Sequence, residues 1–381
     1  MCSPRPHVRR SFIGPRGFSL VEVMVVIALI GILAGILLVA VGGATDSAKR
    51  ARTGSTLESV SAAMDAFRIE HGALPGVVPP RVLSDGSLIT SSQNVPLHLM
   101  GGARVSVQVN DSPADAIAEA EYQRYVDSAQ GEDGMNAIEL ELEDPDNTEV
   151  LYNVAVRVPR IGEGPLINGK QYAPYLSPKE NEINRRADQM ESVDLADPAN
   201  FHPHAKNIGC TLLPDIVDAW GQPVIILRRD RKSGPVLLVD PDDDTPPQFE
   251  VTGIDRYLGA NTLGLAKTRQ RLDINNQFLG SRIAPIGLGD NEERSYWLFL
   301  LLTTPAMEWD LDGEHGEPYS GTARGGYMLL SAGADGVFIA RQDGPIDPTT
   351  GSPDLDYEEE DDRTDHKFLE EFDDVVMHGG S

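Results

Sequence analysis

The sequence predicts an α+β fold, with one long amino-terminal helix laid against an antiparallel β-sheet. Two patterns carry this. The first is the stretch GFSLVEVMVVIALIGILAGILLVAVGG, residues 17–43, which runs without a break into a segment of helical apolar spacing ending near His71. The second begins at Leu213, where short β-rich runs are separated by clusters of Gly, Pro and Asp, the punctuation of antiparallel strands. With 381 residues the chain is long enough for one large or two ordinary domains.

The helix has two halves of different chemistry. From Val23 to Val41 it holds no charged or strongly polar side chain. A helix of roughly 20 such residues spans a bilayer core. Arg5, Arg9, Arg10 and Arg16 precede it with no acid among them, which favours a cytoplasmic amino terminus and an exported carboxyl-terminal bulk; Lys49, Arg50 and Arg52 beyond the span weaken that bias without reversing it. One carboxylate, Glu22, sits in the first turn, where burial in lipid costs on the order of 2–3 kcal/mol. Gly31 and Gly35 form a GxxxG face that permits close helix approach. In the second half Leu57, Val60, Met64 and Phe67 recur at spacings of three and four, giving one apolar face for packing on a globular domain. Gly72 and Pro75 stop the helix. Residues 18–71 form a helix about 80 Å long.

The head is less regular. Within 75–213, Val105 to Val109 and Val150 to Val158 read as strands, Ala114 to Ala129 as a helix, and the acidic run 139–146, ELELEDPD, as a solvated face or loop. Further on, Val224 to Arg228, Val236 to Val239, Trp297 to Leu302, Tyr327 to Ser331 and Val337 to Ala340 read as strands, the Trp297 run as the central one because it is apolar throughout.

Composition removes several function classes. Asp plus Glu number 59 against 32 Lys plus Arg, a net charge of −27. No basic groove for nucleic acid is expected from such a chain. Cysteines are two, Cys2 and Cys210. His202, His204 and Cys210 lie close together, but their spacing matches no standard zinc pattern. The chain has no G-x-S-x-G, no H-E-x-x-H and no phosphate-binding glycine loop, so it reads as a structural protein and not an enzyme.

The amino-terminal stretch also carries a resemblance. A basic leader ending in Gly17, then Phe18, Ser19, Leu20 and Glu22, then an unbroken apolar run, resembles the class III signal of type IV pilins and type II secretion pseudopilins. The resemblance implies cleavage between Gly17 and Phe18 by a prepilin peptidase, methylation of the new amino terminus on Phe18, and pairing of Glu22 with the terminal ammonium of a neighbouring subunit. Such a pair costs less in a low-dielectric filament core than either charge alone. Removing the four leader arginines takes the net charge from −27 to −31 and leaves Cys210 alone, with no intramolecular disulfide available. The implied partners are further copies in a homo-oligomeric filament, an inner-membrane assembly platform with its secretion ATPase, and minor pseudopilins. The implied location is the inner membrane, single-pass with a periplasmic head, and then a periplasmic filament. On this reading residues 1–17 are the leader, 18–43 the transmembrane and assembly helix, 44–72 its amphipathic continuation, 73–213 an enlarged acidic region, and 214–381 a pseudopilin-like sheet and terminal loop with an inserted segment 224–325.

A second resemblance lies in that last part. Asp218, Trp220, Gly221 and Pro223 match D-x-W-G-x-P; Ser331, Gly333, Asp335 and Gly336 match S-x-G-x-D-G; and Asp373 and Asp374 form a terminal acid pair. These resemble the major pseudopilin and occur in its order. The resemblance implies calcium held by Asp335, Asp373 and Asp374, with Ser331 as a further ligand, and an all-oxygen set of this kind is what calcium takes. The acid-rich stretches 309–317 and 241–244 rank below it. Three other readings stay open: a type IV pilus subunit for adhesion or motility, a minor tip pseudopilin, and a membrane-anchored binding domain that uses a pilin-type signal.

Overall fold

A computed structural model of the chain describes residues 20–83, 89–129, 137–184, 213–237, 246–249, 298–303, 322–334, 336, 338–339 and 372–380, without the side chains of 36–42 and 129. Two compact units divide it, 1–48 and 49–381. Helix α1, Leu20–His71, is 52 residues long and runs through the boundary.

In the first unit every described side chain of α1 is exposed. Leu20, Val21, Met24, Ile27, Leu29, Ile30, Ile32 and Leu33 are each more than half exposed. A Cβ added at Gly31 or Gly35 would meet no atom within 4 Å, so the GxxxG face is open. Among the described residues no helix is long and apolar enough to cross a membrane; the expected span extends into residues 36–42, whose side chains lie outside them.

In the second unit the fold is α+β, as the sequence predicts. Thr53, Leu57, Val60, Met64 and Phe67 of α1 are buried, the face that the three-and-four spacing picks out. Gly72 ends the helix with a positive φ of 74°, its N–H bonding Arg68 O at 2.7 Å. Helix α2, Ser91–Met100, follows, opened by a capping box between Thr90 and Gln93. Next come β1 (Ala103–Val109), β2 (Ser112–Pro113) and α3 (Ala116–Ala129), then the hairpin of β3 (Ile138–Asp144) and β4 (Asn147–Val156). The first sheet has the order β2-β1-β4-β3, antiparallel throughout. Short pairs β5–β6 (Leu166–Ile167, Lys170–Gln171) and β7–β8 (Ile183–Asn184, Asp215–Ile216) lead to the second sheet. That sheet is β11-β10-β9, again antiparallel, from β9 (Ile225–Arg228), β10 (Tyr327–Ser331) and β11 (Val375–Gly379).

Burial explains the two sheets' different sequences. In β3 alternate residues face the core: Ile138, Leu140 and Leu142 are buried while Glu139, Glu141 and Glu143 are exposed. The acidic run read as a solvated face or loop is therefore a strand with only one solvated face. In β9 and β10 both faces are covered. Ile226, Tyr327 and Leu329 join the core under α1 and α2, and Ile225, Leu227, Met328 and Leu330 join a second core with Leu298 to Leu302, Phe338 and Phe372. A strand buried on both sides reads as a continuous apolar run.

The expected central strand at Trp297 to Leu302 is overturned. Residues 298–302 are helical, and Thr303 N–H bonds Phe299 O at 2.9 Å in the i to i−4 pattern. A run that is apolar all round and covered on every side fits a buried helix as well as a strand, and periodicity alone cannot separate them. The expected strand 236–239 is a bend at Val236 and Leu237, with the rest outside the described residues, and of 337–340 the described Phe338 and Ile339 lie in a turn. His202, His204 and Cys210 also lie outside them.

Candidate functional site

The turn at Asp218 is built by its own carboxylate. Oδ1 accepts the N–H groups of Trp220 at 2.8 Å and Gln222 at 2.9 Å, while the Asp218 N–H donates to Gln222 O at 2.8 Å. This closes residues 218–222 into a tight Asx-type loop. Gly221 has a φ of 83°, a conformation glycine adopts without penalty. The loop docks on α1, where Ala219 N–H donates to the buried Thr53 Oγ1 at 3.1 Å.

The second oxygen of Asp218 reaches across the fold. Ser331 Oγ, at the end of β10, donates to Asp218 Oδ2 at 2.7 Å over 113 residues of sequence. The two motifs, separate in the sequence, are thus one hydrogen-bonded unit. Asp218 is buried. Burial pushes its carboxyl above the usual carboxylate range, and the bonds from Ser331, Gln222, Trp220 and Gly221 pull the other way.

The terminal aspartates close the same turn from the other side. Asp373 Oδ2 accepts Ala334 N–H at 2.6 Å, and both oxygens of the buried Asp374 accept Ile339 N–H at 3.1 Å. Gly333 sits at φ 63° directly over Asp373, where any Cβ would collide with that residue's carbonyl and carboxylate oxygens. Arg50, read from the sequence as one of the positive charges beyond the span, completes the loop. Arg50 Nη2 donates to Phe372 O and Asp374 O, each at 3.2 Å, and ties the segment leading into β11 to α1.

The structure therefore brings together Ser331, Asp373 and Asp374 around the 331–336 turn; Asp335 lies outside the described residues. The donors there are all oxygen, which is the chemistry calcium uses. Among the described residues no group of three or more His, Cys, Asp or Glu is arranged to hold a metal ion. Their carboxylates are engaged by backbone N–H groups, and two of the loop's carbonyls by Arg50.

At the other end of α1, Glu22 lies in the first turn and is exposed, and Gly17 and Phe18 lie outside the described residues. A family model described as "Prokaryotic N-terminal methylation motif" matches residues 15–38. The chain carries a type IV pilin-like signal. The match includes the expected cleavage pair, Glu22, Gly31 and Gly35. Neither the curated proteins nor the solved structures contain a match to the chain. The match covers the amino-terminal segment of the chain and supports a pilin-type signal there.

Proposed function

We propose that the protein is a structural filament subunit, a pseudopilin of a type II secretion system. It is inserted in the inner membrane with its head in the periplasm, cut between Gly17 and Phe18 by prepilin peptidase, methylated on Phe18, and assembled by side-to-side packing of α1 on an inner-membrane platform driven by a secretion ATPase. The observation that carries this reading is the uncovered helix behind the methylation motif. Ten large apolar side chains from Leu20 to Leu33 are each more than half exposed. Burial of such a side chain is worth about 1.5–3 kcal/mol, so this surface calls for a bilayer first and neighbouring helices afterwards. Secretion rather than a pilus is favoured by the Asp218 turn and its bond to Ser331, which join the two motifs that resemble the major pseudopilin. The same reading keeps calcium as a ligand of Asp335, Asp373 and Asp374, assisted by Ser331. Minor pseudopilins are the expected partners at the tip.

Glu22→Ala tests the assembly step. The variant should be cleaved normally, with the mass of a chain that begins at methylated Phe18, and should yield no filaments. Filaments of normal abundance from Glu22→Ala, or an intact leader in membranes that contain the peptidase, would contradict the proposal.

A further inference from the structure

A cleft of about 420 Å³ lies between the end of α2, β1, α3 and the β5–β6 hairpin. Sites for small ligands have this size, with mostly apolar walls and a few placed polar groups. Val77, Leu97, Val105, Ile117, Leu166 and Ile167 supply the apolar walls. Ile117 is 69% exposed; among the described residues of the second unit, Ile69 is the other large apolar side chain more than half exposed. A ligand in the cleft would take Ile117 out of water.

Three charged side chains stand in the same lining, Arg104, Asp115 and Glu121. Arg104 comes from β1. Its guanidinium carbon lies 4.7 Å from the centroid of the Tyr125 ring, and it donates to Ala103 O at 2.7 Å and Gln171 Oε1 at 3.3 Å. The group is held in place and keeps unused N–H donors. Glu121 comes from α3. A Cβ at Gly169 would lie 3.4 Å from its Oε1, which puts the carboxylate beside the tip of the hairpin. Arg104 feels the Glu121 charge, yet the two form no ion pair, and Glu121 accepts no hydrogen bond among the described residues. Asp115 uses Oδ1 to cap α3, accepting the N–H groups of Ile117 at 2.8 Å and Ala118 at 3.4 Å. The lining also holds a neutral donor. His98 Nδ1 accepts Gly76 N–H at 2.9 Å, so the proton sits on Nε2, which has no acceptor among the described residues.

This set of charges selects a ligand by exclusion. A simple anion meets Asp115 and Glu121, and a simple cation meets Arg104. A neutral apolar molecule would strip water from all three and return no partner, which is costly. A zwitterion with an aliphatic body gives an ammonium to the carboxylates, a carboxylate to the guanidinium and apolar surface to the walls. A peptide bond within it adds a carbonyl that His98 can serve. We propose that the cleft binds a short aliphatic peptide with both termini free, its ammonium at Glu121 and Asp115 and its carboxylate at Arg104. Every lining residue lies in the second unit, so the site does not depend on the filament reading.

Leucyl-leucine is the probe, with N-acetyl-leucyl-leucine and leucyl-leucinamide as the forms that lack one charge. Binding to the full chain in lipid nanodiscs is measured by calorimetry, with empty nanodiscs as the blank. Leucyl-leucine should bind saturably at one site. Each blocked form should bind about tenfold more weakly or worse, the loss of one hydrogen bond to a charged group. Glu121→Gln should remove most of the preference over the N-acetyl form and keep the preference over the amide. Arg104→Gln should do the reverse. Glu121 makes no bond in the free chain, so its replacement leaves the head intact, and a damaged head would weaken all three peptides alike. No saturable binding by the parent, equal binding of the three peptides, or an unchanged preference over the N-acetyl form in Glu121→Gln overturns the proposal.

Discussion

Asp218 offers the sharpest test of the terminal-loop unit. Replacing it with alanine removes the acceptor for three donors, Trp220 N–H, Gln222 N–H and Ser331 Oγ. An abandoned buried donor costs about 1–3 kcal/mol. Trp220 and Gln222 are half-buried and regain some water, so the low end applies to both, whereas Ser331 is fully buried and takes the high end. Against this, loss of an ionised carboxylate that burial disfavours returns part of its desolvation cost. The balance is about 3 kcal/mol of local stability. Asp218→Asn keeps Oδ1 for the two N–H groups and presents an amide to Ser331, so it should cost only about 1 kcal/mol. Hydrogen exchange on the full chain reads this segment by segment. At about 1.4 kcal/mol per tenfold, Asp218→Ala should speed exchange roughly 100-fold. It should do so in peptides covering both 215–223 and 327–334, since Ser331 lies 113 residues away. Faster exchange confined to 215–223, or an asparagine variant as damaged as the alanine one, would refute the claim that Asp218 joins the two motifs.

Two further outcomes are expected. His98 is held neutral, its pKa pushed down to about 4 from 6.5, first by burial and then by the Arg228 charge, and its Nδ1 accepts Gly76 N–H at 2.9 Å, a bond that only an unprotonated nitrogen makes. A depressed folded pKa gives stability that is complete above the unfolded value and is lost as pH falls through 6.5 towards 4. Urea unfolding should therefore show at most about 3 kcal/mol lost over that window, less whatever the ring's remaining exposure screens. The loss should shrink in His98→Gln, and an unchanged pH slope in that variant removes His98 as the cause. Calcium should raise the melting temperature of the parent chain and a chelator should reverse the gain, with Asp373→Asn abolishing the difference; equal melting in both media would dismiss the metal.

How much of this was legible follows from what each residue pairs with. The buried stripe of α1 could be read from spacing because one face meets the core and the other meets solvent. Strand β10 could be read as Tyr327 to Ser331 because glycines precede it and a glycine turn follows. Residues 298–302 could not be assigned, because a segment covered on every side loses the contrast that periodicity measures. The two halves of the terminal site were each visible as motifs, but the Asp218–Ser331 bond depends on register in a sheet whose strands are far apart in sequence, and Arg50 looks like any other cation on a helix.

Helix α2 makes the same point in its strongest form. Thr90 and Gln93 spell a capping box in the sequence, yet the segment reads as polar, since Ser91, Ser92, Gln93 and Asn94 follow one another. All four are buried. Asn94 both accepts Val78 N–H at 3.0 Å and donates to Val78 O at 2.9 Å, Ser92 Oγ accepts Ile226 N–H at 3.1 Å, and Gln93 Nε2 donates to Asp215 Oδ2 at 3.4 Å. Hydropathy charges each such side chain the cost of being buried alone, about 1–3 kcal/mol from protein mutations. That cost is largely cancelled when the partner is a backbone group that would itself go unmet, as Val78 and Ile226 would here. The polar run is buried because it satisfies the strand and loop beside it, a relation between distant segments that no local window contains.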